Sequence, residues 1–127
     1  MLLLDSHVAL WALDEAPQLG VDARRAITGP TDVYVSAASI WELTVKSMLG
    51  KIDIPAGLPA LLAAAGFQSL SVTAEHAEGI RDFPELARHD PFDRLLVSQA
   101  SRAGLRLLTA DRVLLALKRD FITDATV

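Results

Sequence analysis

The chain has 127 residues, of which 51% are hydrophobic and 22% charged, and its net charge is −4. This size and composition predict one globular domain over residues 1–127 and exclude a disordered chain. The sequence has no cysteine, which excludes a disulfide scaffold, a thiolate zinc site and a cysteine nucleophile.

The apolar runs of the sequence are too short for a membrane span, which needs ~18 residues. The N-terminus reaches Asp5 without a basic region, so a secretion signal is not expected. We therefore predict a cytoplasmic protein with no membrane partner. The negative charge is unusual for a nucleic-acid binder, although six arginines lie between Arg81 and Arg112.

The first half of the chain alternates apolar runs with helical patterns. The predicted elements are a strand over Met1–Leu4, helices over 7–13 and 20–28, a strand over 33–35 and a helix over 37–49. Ser36 is the expected N-cap of the last helix and Gly50 its end.

The second half continues the alternation. It predicts a helix over 58–65, a strand over 67–72, a helix capped by Thr73 that runs through Arg81 and a loop over 83–88. A helix over 91–103, a strand over 105–108, a helix over 112–117 and a strand at 121–122 follow. This order favours an α/β fold with a central, mostly parallel sheet of four to five strands and helices on both faces.

Two aspartates follow predicted strands, where parallel α/β sheets collect their ligands. Asp5 comes directly after the first strand, and Asp111 lies just beyond the fourth. Each fits a metal ligand at the edge of the sheet. Each equally fits an N-cap that accepts hydrogen bonds from the next helix.

Glu42 lies in a predicted helix that is apolar nearly all round, and we expect that helix to be largely buried. A buried glutamate needs a partner or a cation. Lys46, one turn later, is a candidate partner. Ser39 and Glu42 also have the spacing of a capping box.

Asp90 and Asp93 stand at the start of the clearest predicted helix. Asp90 fits the N-cap, Pro91 the first helical position and Asp93 the third. Their spacing puts both carboxylates on one side of the helix start, facing a cleft over the sheet. His89 is interpreted as a loop histidine rather than a ligand.

Four acids, Asp5, Glu42, Asp93 and Asp111, thus occupy places that converge in an α/β sheet. Several carboxylates share a small volume only when cations neutralise them or some are protonated. Oxygen ligands suit Mg²⁺ or Mn²⁺, whereas the lack of cysteine and scarcity of histidine disfavour zinc. Nucleases and phosphatases use such carboxylate-held ions.

The sequence resembles PIN-domain ribonucleases, and specifically the VapC-type toxins of type II toxin–antitoxin pairs. The resemblance covers nearly the whole chain. It rests on four segments in order, which are Leu3-Leu4-Asp5-Ser6-His7, Val35–Leu43 with Lys46, His89-Asp90-Pro91-Phe92-Asp93-Arg94-Leu95-Leu96 and Leu108-Thr109-Ala110-Asp111. Ser6 stands where threonine is commoner.

The resemblance implies a PIN-like three-layer sandwich and a Mg²⁺-dependent endoribonuclease, with Mn²⁺ as a possible substitute. It implies an RNA substrate, a cognate antitoxin that inhibits the enzyme and a homodimer. The implied catalytic residues are Asp5, Glu42, Asp93 and Asp111, with the metal held most directly by Asp5 and Asp93.

The resemblance also suggests supporting roles. Asp90 would support the site from its edge, and the Ser6 and Thr109 hydroxyls would orient the aspartates. Arg94 fits either an RNA phosphate or a site carboxylate. The side chains of Trp11, Trp41 and Met48 fit the buried core better than an exposed groove for a partner.

Two other functions remain open from the residues alone. One is a PIN-like binding module without catalysis, whose acidic pocket is structural. The other is a different Mg²⁺-dependent phosphotransfer enzyme. Metal-dependent RNA cleavage separates both from the ribonuclease.

Overall fold

A computed structural model describes residues 1–127 as a five-stranded parallel sheet between two layers of helices. The strands are β1 (Leu2–Leu4), β2 (Val33–Ser36), β3 (Gln68–Leu70), β4 (Arg106–Thr109) and β5 (Ile122–Asp124). The order across the sheet is β3-β2-β1-β4-β5, with every neighbouring pair parallel. The predicted α/β three-layer fold is confirmed.

Seven helices and two short 3₁₀ turns connect the strands. The helices are α1 (Ser6–Asp14), α2 (Val21–Thr28), α3 (Ala37–Met48), α4 (Leu58–Ala64), α5 (Ala74–Glu78), α6 (Pro91–Ala103) and α7 (Arg112–Leu115), and the 3₁₀ turns are Gly79–Asp82 and Pro84–Leu86. None of these helices combines the length and the apolar character that crossing a bilayer requires.

Each face of the sheet carries its own apolar core. Leu2 and Leu4 of β1 pack into one core, and Leu3 between them packs into the other. Successive strand residues point to opposite faces, so one short strand supplies both cores. Burial on both faces explains why β1 is the continuous apolar run Leu2-Leu3-Leu4 rather than an alternating pattern.

Helix α3 differs from its predicted environment. It buries one face, while Trp41 and Met48 on the opposite face are 62% and 82% exposed. The expectation that this helix is largely buried is therefore wrong, and so is the core placement of these two side chains. Apolar residues lie nearly all round α3, whereas its neighbours α1, α6 and β2 contact only one face of the helix. Trp11 is half-buried.

The start of α3 also corrects one of the two capping alternatives. The Ser36 hydroxyl accepts a hydrogen bond from the Ala38 backbone N–H, 3.0 Å away. Ser36 is therefore the N-cap, as the turn chemistry predicts. The capping box of Ser39 with Glu42 does not form, because Ser39 lies inside the helix.

The strand order opens a crevice at the carboxyl ends of β1 and β4. Strands β2 and β3 lie on one side of β1, and β4 and β5 lie on the other. The chain reverses direction across the sheet between β1 and β4, and in doubly wound sheets a crevice opens there at the carboxyl ends of the strands. Asp5 follows β1 at this point, and Asp111 follows β4.

Candidate active site

A cleft of about 320 Å³ lies at the carboxyl ends of β1 and β4. The residues that line it are Asp5, Ser6, His7, Trp11, Glu42, Lys46, Asp90, Asp93, Ala110 and Asp111. All four acids of the predicted quartet are among them, together with Asp90. They come from four separate segments of the chain, so only folding places them in one cleft.

Asp5 joins the end of β1 to the start of α1. Its Oδ1 accepts a hydrogen bond from the Val8 backbone N–H at 3.1 Å, and its Oδ2 accepts one from the Thr109 hydroxyl at 2.6 Å. The Thr109 hydroxyl also accepts a hydrogen bond from the Asp111 backbone N–H at 3.0 Å. Thr109 thus fixes Asp5 directly and the backbone of Asp111.

Asp90 and Asp111 are N-caps, and each caps through one oxygen only. Oδ1 of Asp90 accepts hydrogen bonds from the N–H groups of Phe92 and Asp93, at 2.8 and 3.2 Å. Oδ1 of Asp111 does the same for two backbone N–H groups of α7. The capping role and a role in the cleft are therefore compatible, since the second oxygen of each carboxylate remains available.

Glu42 is 4% exposed and has two partners. The Ser6 hydroxyl donates to its Oε1 at 2.5 Å, and the Lys46 ammonium lies 2.7 Å from its Oε2. The hydrogen bond to Glu42 raises the pKa of Lys46. Lys46 is thus the partner that the i, i+4 spacing predicts. Ser6 contacts this glutamate and no aspartate, because the first turn of α1 faces α3.

Removing the Lys46 charge should destabilise the fold. In Lys46→Met the buried Glu42 carboxylate loses its counter-charge, and we expect the free energy of unfolding to fall by about 1–2 kcal/mol. The loss is small because the lysine side chain is 31% exposed and water screens its charge. Urea denaturation measures the change, and the double variant Lys46→Met/Glu42→Gln should recover most of it. Equal losses in both variants would contradict the pairing.

His89 lies at the edge of the cleft and contacts two of the carboxylates that line it, which the sequence interpretation missed. Its Nε2 lies 3.1 Å from Oδ2 of Asp93 and 3.3 Å from Oδ2 of Asp111. His89 does lie in the loop before α6, as interpreted, but its contacts with these two carboxylates were not anticipated. A usable signal existed, since His89 and Asp93 are four residues apart around a helix start. No signal in the sequence indicates the contact between His89 and Asp111, which are 22 residues apart.

Arg94 does not reach the acidic cleft. Its guanidinium donates to the Ala87 carbonyl at 3.0 Å, and the side chain borders an apolar groove on the outer side of α6. Pairing of Arg94 with a site carboxylate does not occur. His7 and Trp11 line the cleft and were not predicted there as site residues.

The cleft holds more negative charge than its own cations balance. Burial, with the charges of Asp90 and Asp111, raises the pKa of Asp93 to about 8. Burial also raises the pKa of Asp5. Although burial alone would raise the pKa of Asp111, hydrogen bonds from Leu114, Asp93 and Val113 lower it. Burial and the repulsion between neighbouring carboxylates thus oppose the ionisation of Asp93.

These residues fit a divalent cation. The available donors are the carboxylate oxygens that line the cleft and the His89 ring nitrogen at its edge, with no thiolate. One donor atom from each of His89, Asp93 and Asp111 lies within 4.8 Å of the other two. Such an oxygen-rich set suits Mg²⁺ or Mn²⁺.

Comparison with known proteins identifies the family and agrees with the fold. A family model described as the PIN domain matches residues 2–120. The chain is 32% identical over 113 residues to Ribonuclease VapC22 of Mycobacterium tuberculosis, covering 87% of each protein.

Solved structures show the same fold at lower sequence identity. VapBC2 from Rickettsia felis, bound to a promoter DNA fragment, has a TM-score of 0.67 at 13% identity and 96% coverage of both chains. M. tuberculosis VapC20, described as a toxin that cleaves the sarcin–ricin loop, has a TM-score of 0.54 at 19% identity, with 92% of this chain and 95% of that chain covered.

Proposed function

This chain belongs to the PIN-domain family, and we propose that it is an endoribonuclease toxin of the VapC type that cleaves RNA with a divalent ion. The observation that carries the proposal is the convergence of Asp5, Glu42, Asp93 and Asp111 in one cleft at the switch point of the sheet. The shared sheet with its two cores supports a single domain over residues 1–127.

We assign the ion to Asp5 and Asp93, with Glu42 and Asp111 completing the acidic cleft. Mg²⁺ is the proposed ion, and Mn²⁺ is the alternative. A bound ion of this kind lowers the pKa of water and offsets negative charge that develops on the phosphate during hydrolysis. The raised pKa of Asp93 supports the assignment, because a carboxylate cluster short of positive charge favours a cation.

The chain's own residues hold the acids in place before substrate arrives. Thr109 fixes the Asp5 carboxylate, while Ser6 and Lys46 fix that of Glu42. Fixed acids keep the ion position constant, and preorganised charge lowers the cost of reaching the transition state.

RNA is the proposed substrate in spite of the net charge of −4. Arg88 and Arg112 are exposed and adjoin His89 and Asp111 in the sequence. Their position beside the cleft supports contact with the phosphate backbone. Together with a bound divalent ion, they would offset repulsion between the acids and RNA. The proposed RNA substrate and antitoxin partner also support the proposal that the protein acts in the cytoplasm.

Metal removal tests the proposed activity. With purified protein and RNA, EDTA should abolish cleavage, and Mg²⁺ added in excess should restore it, because the acids alone cannot activate water. Gel analysis of labelled RNA measures the products. Cleavage that persists in EDTA would contradict a metal-dependent nuclease. Cleavage absent with every divalent ion would favour the non-catalytic binding module.

We also propose a cognate antitoxin that inhibits the enzyme by placing an arginine in the acidic cleft. The solved structures of this fold support such a partner, since one is a toxin–antitoxin complex from Klebsiella pneumoniae, with a TM-score of 0.65 and 98% of both chains covered. Replacing the arginines of the antitoxin should then abolish inhibition, and full inhibition without them would contradict the mechanism.

A homodimer is proposed from the exposed apolar face of α3. Trp41 packs edge-on against Phe92, with ring centroids 5.0 Å apart, and borders an apolar groove with Ile80 and Leu95. We expect the purified chain to sediment at twice its 13.7 kDa. Trp41→Arg should give monomers because it places a charge in the interface. A wild-type monomer at micromolar concentration would contradict the dimer.

A further inference from the structure

His89 sits between two carboxylates that come from different parts of the fold. Asp93 belongs to the first turn of α6, and Asp111 caps α7 after β4. The Nε2 atom lies 3.1 Å from the Asp93 carboxylate and 3.3 Å from the Asp111 carboxylate. The His89 backbone N–H donates to the Leu86 carbonyl at 2.9 Å, which fixes the loop that presents the ring.

Hydrogen bonding alone explains this arrangement poorly. A single ring nitrogen carries either one hydrogen or one lone pair, so Nε2 forms a linear hydrogen bond with only one of the two carboxylates, and a bond to both is a weaker three-centre one. Both distances are nevertheless close to that of a hydrogen bond. The side chain is 21% exposed, so the ring is largely enclosed by the cleft.

The spacing instead resembles that of ligands around a common ion. Adjacent ligands at ~2.1 Å from an octahedral ion are roughly 3 Å apart. The two nitrogen–oxygen distances match this separation, and all three donor atoms lie within 4.8 Å of one another. A small divalent ion could therefore contact all three with little movement of the side chains.

We propose that His89 is a nitrogen ligand of the ion assigned above to Asp93, with Asp111 as a further ligand, and that this nitrogen makes Mn²⁺, the alternative ion above, preferred to Mg²⁺. The inference rests on the proposed function in that it assigns the divalent ion to the acidic cleft. Mg²⁺ is a hard cation that strongly prefers oxygen ligands, whereas imidazole binds transition metals more readily. One imidazole among carboxylates thus shifts the preference towards Mn²⁺.

The test is electron paramagnetic resonance of Mn²⁺ bound to the purified full-length chain, without RNA. We expect nitrogen modulation of the electron spin echo in the wild type and its loss in His89→Gln. The chain has three histidines, and His7 also lines the cleft. The matched control His7→Gln should keep the signal. A signal lost in His7→Gln and kept in His89→Gln would overturn the proposal.

Binding constants give an independent measurement. By titration calorimetry, His89→Gln should weaken Mn²⁺ binding by at least about tenfold and weaken Mg²⁺ binding less. If the imidazole acts only as a cation that competes for the carboxylates, His89→Gln should instead strengthen the binding of both ions. The two interpretations thus predict opposite changes in Mn²⁺ affinity when His89 is replaced.

Failure of this inference is distinguishable from failure of the proposed function. If Mn²⁺ binding is lost in Asp93→Asn but the wild type shows no nitrogen modulation, the ion lies in the cleft and His89 is not its ligand. If Asp93→Asn leaves Mn²⁺ binding unchanged, the assignment of the ion to the cleft fails, and the inference fails with it.

Discussion

Replacing Asp93 with asparagine is expected to lower RNA cleavage by roughly 10³-fold or more while the chain stays folded. Asparagine has nearly the same shape and removes the negative charge that the proposed ion requires. Loss of one preorganised electrostatic group at a reacting centre commonly costs 10²–10³-fold, and loss of an ion costs more. Single-turnover cleavage of labelled RNA under saturating Mg²⁺ measures the effect.

Two controls make this result interpretable. Asp53→Asn removes a carboxylate from an exposed loop and should leave the cleavage rate within about twofold of the wild type. Circular dichroism of Asp93→Asn should match the wild type, because the N-cap of α6 is Asp90 rather than Asp93. A variant that is folded and fully active would remove Asp93 from the proposed catalytic set.

The same substitution should stabilise the protein when divalent ions are absent. Burial and neighbouring carboxylates raise the pKa of Asp93 to about 8, so ionising it in the folded state near neutral pH costs free energy. In EDTA at pH 7 we expect Asp93→Asn to be more stable than the wild type by roughly 2 kcal/mol. This is less than the full shift would give, because the pKa of Asp111 moves in the opposite direction.

The pH dependence of this gain has a definite sign. A folded-state pKa above the unfolded value of ~3.9 means that the wild type loses stability as pH rises from about 4 to 8. The advantage of Asp93→Asn should therefore be near zero at pH 4 and largest near pH 8. Thermal unfolding in EDTA across this range measures it. A constant difference, or a variant less stable at pH 8, would contradict the electrostatic origin.

Divalent ions should reverse the order of stability. An ion that binds only the folded state stabilises the wild type by mass action, while Asp93→Asn binds it weakly. With excess Mg²⁺ the wild type should gain several degrees in melting temperature and the variant almost none. The stability of the two proteins in EDTA would then measure the repulsion within the cleft. Their stability in Mg²⁺ would measure how much the bound ion offsets that repulsion.

Local sequence patterns predicted most elements of the fold. The helix from Pro91 to Ala103 has the predicted bounds, because Asp90-Pro91 and Gly104 supply complete start and stop signals. Elements with weaker start and stop signals have bounds that differ from the predicted ones. The helix predicted to end at residue 117 ends at Leu115, and the last strand is Ile122–Asp124 rather than 121–122. Short apolar runs fix the existence of a strand better than its limits.

The placement of two acids of the cleft could be predicted from their residue type and their position after a strand. Asp5 and Asp111 follow strands that the sequence predicts to be parallel, and such strands end at a common edge. Their proximity therefore follows from topology alone. The choice between N-cap and cleft residue could not be made, and the structure shows why. One carboxylate oxygen caps a helix and the other contacts a side chain at the site, Thr109 for Asp5 and His89 for Asp111, so the two roles are not exclusive.

The sequence by itself thus determined the alternation of strands and helices and the set of acids brought to one edge of the sheet, because both depend on local propensity and on a simple topological rule. Only the tertiary structure decided that Ser6 binds Glu42, that Trp41 is exposed and that His89 lies between two carboxylates. The Ser6–Glu42 and His89–Asp111 contacts join segments distant in the chain. Periodicity identifies the apolar positions of a helix but not which of them a neighbour covers.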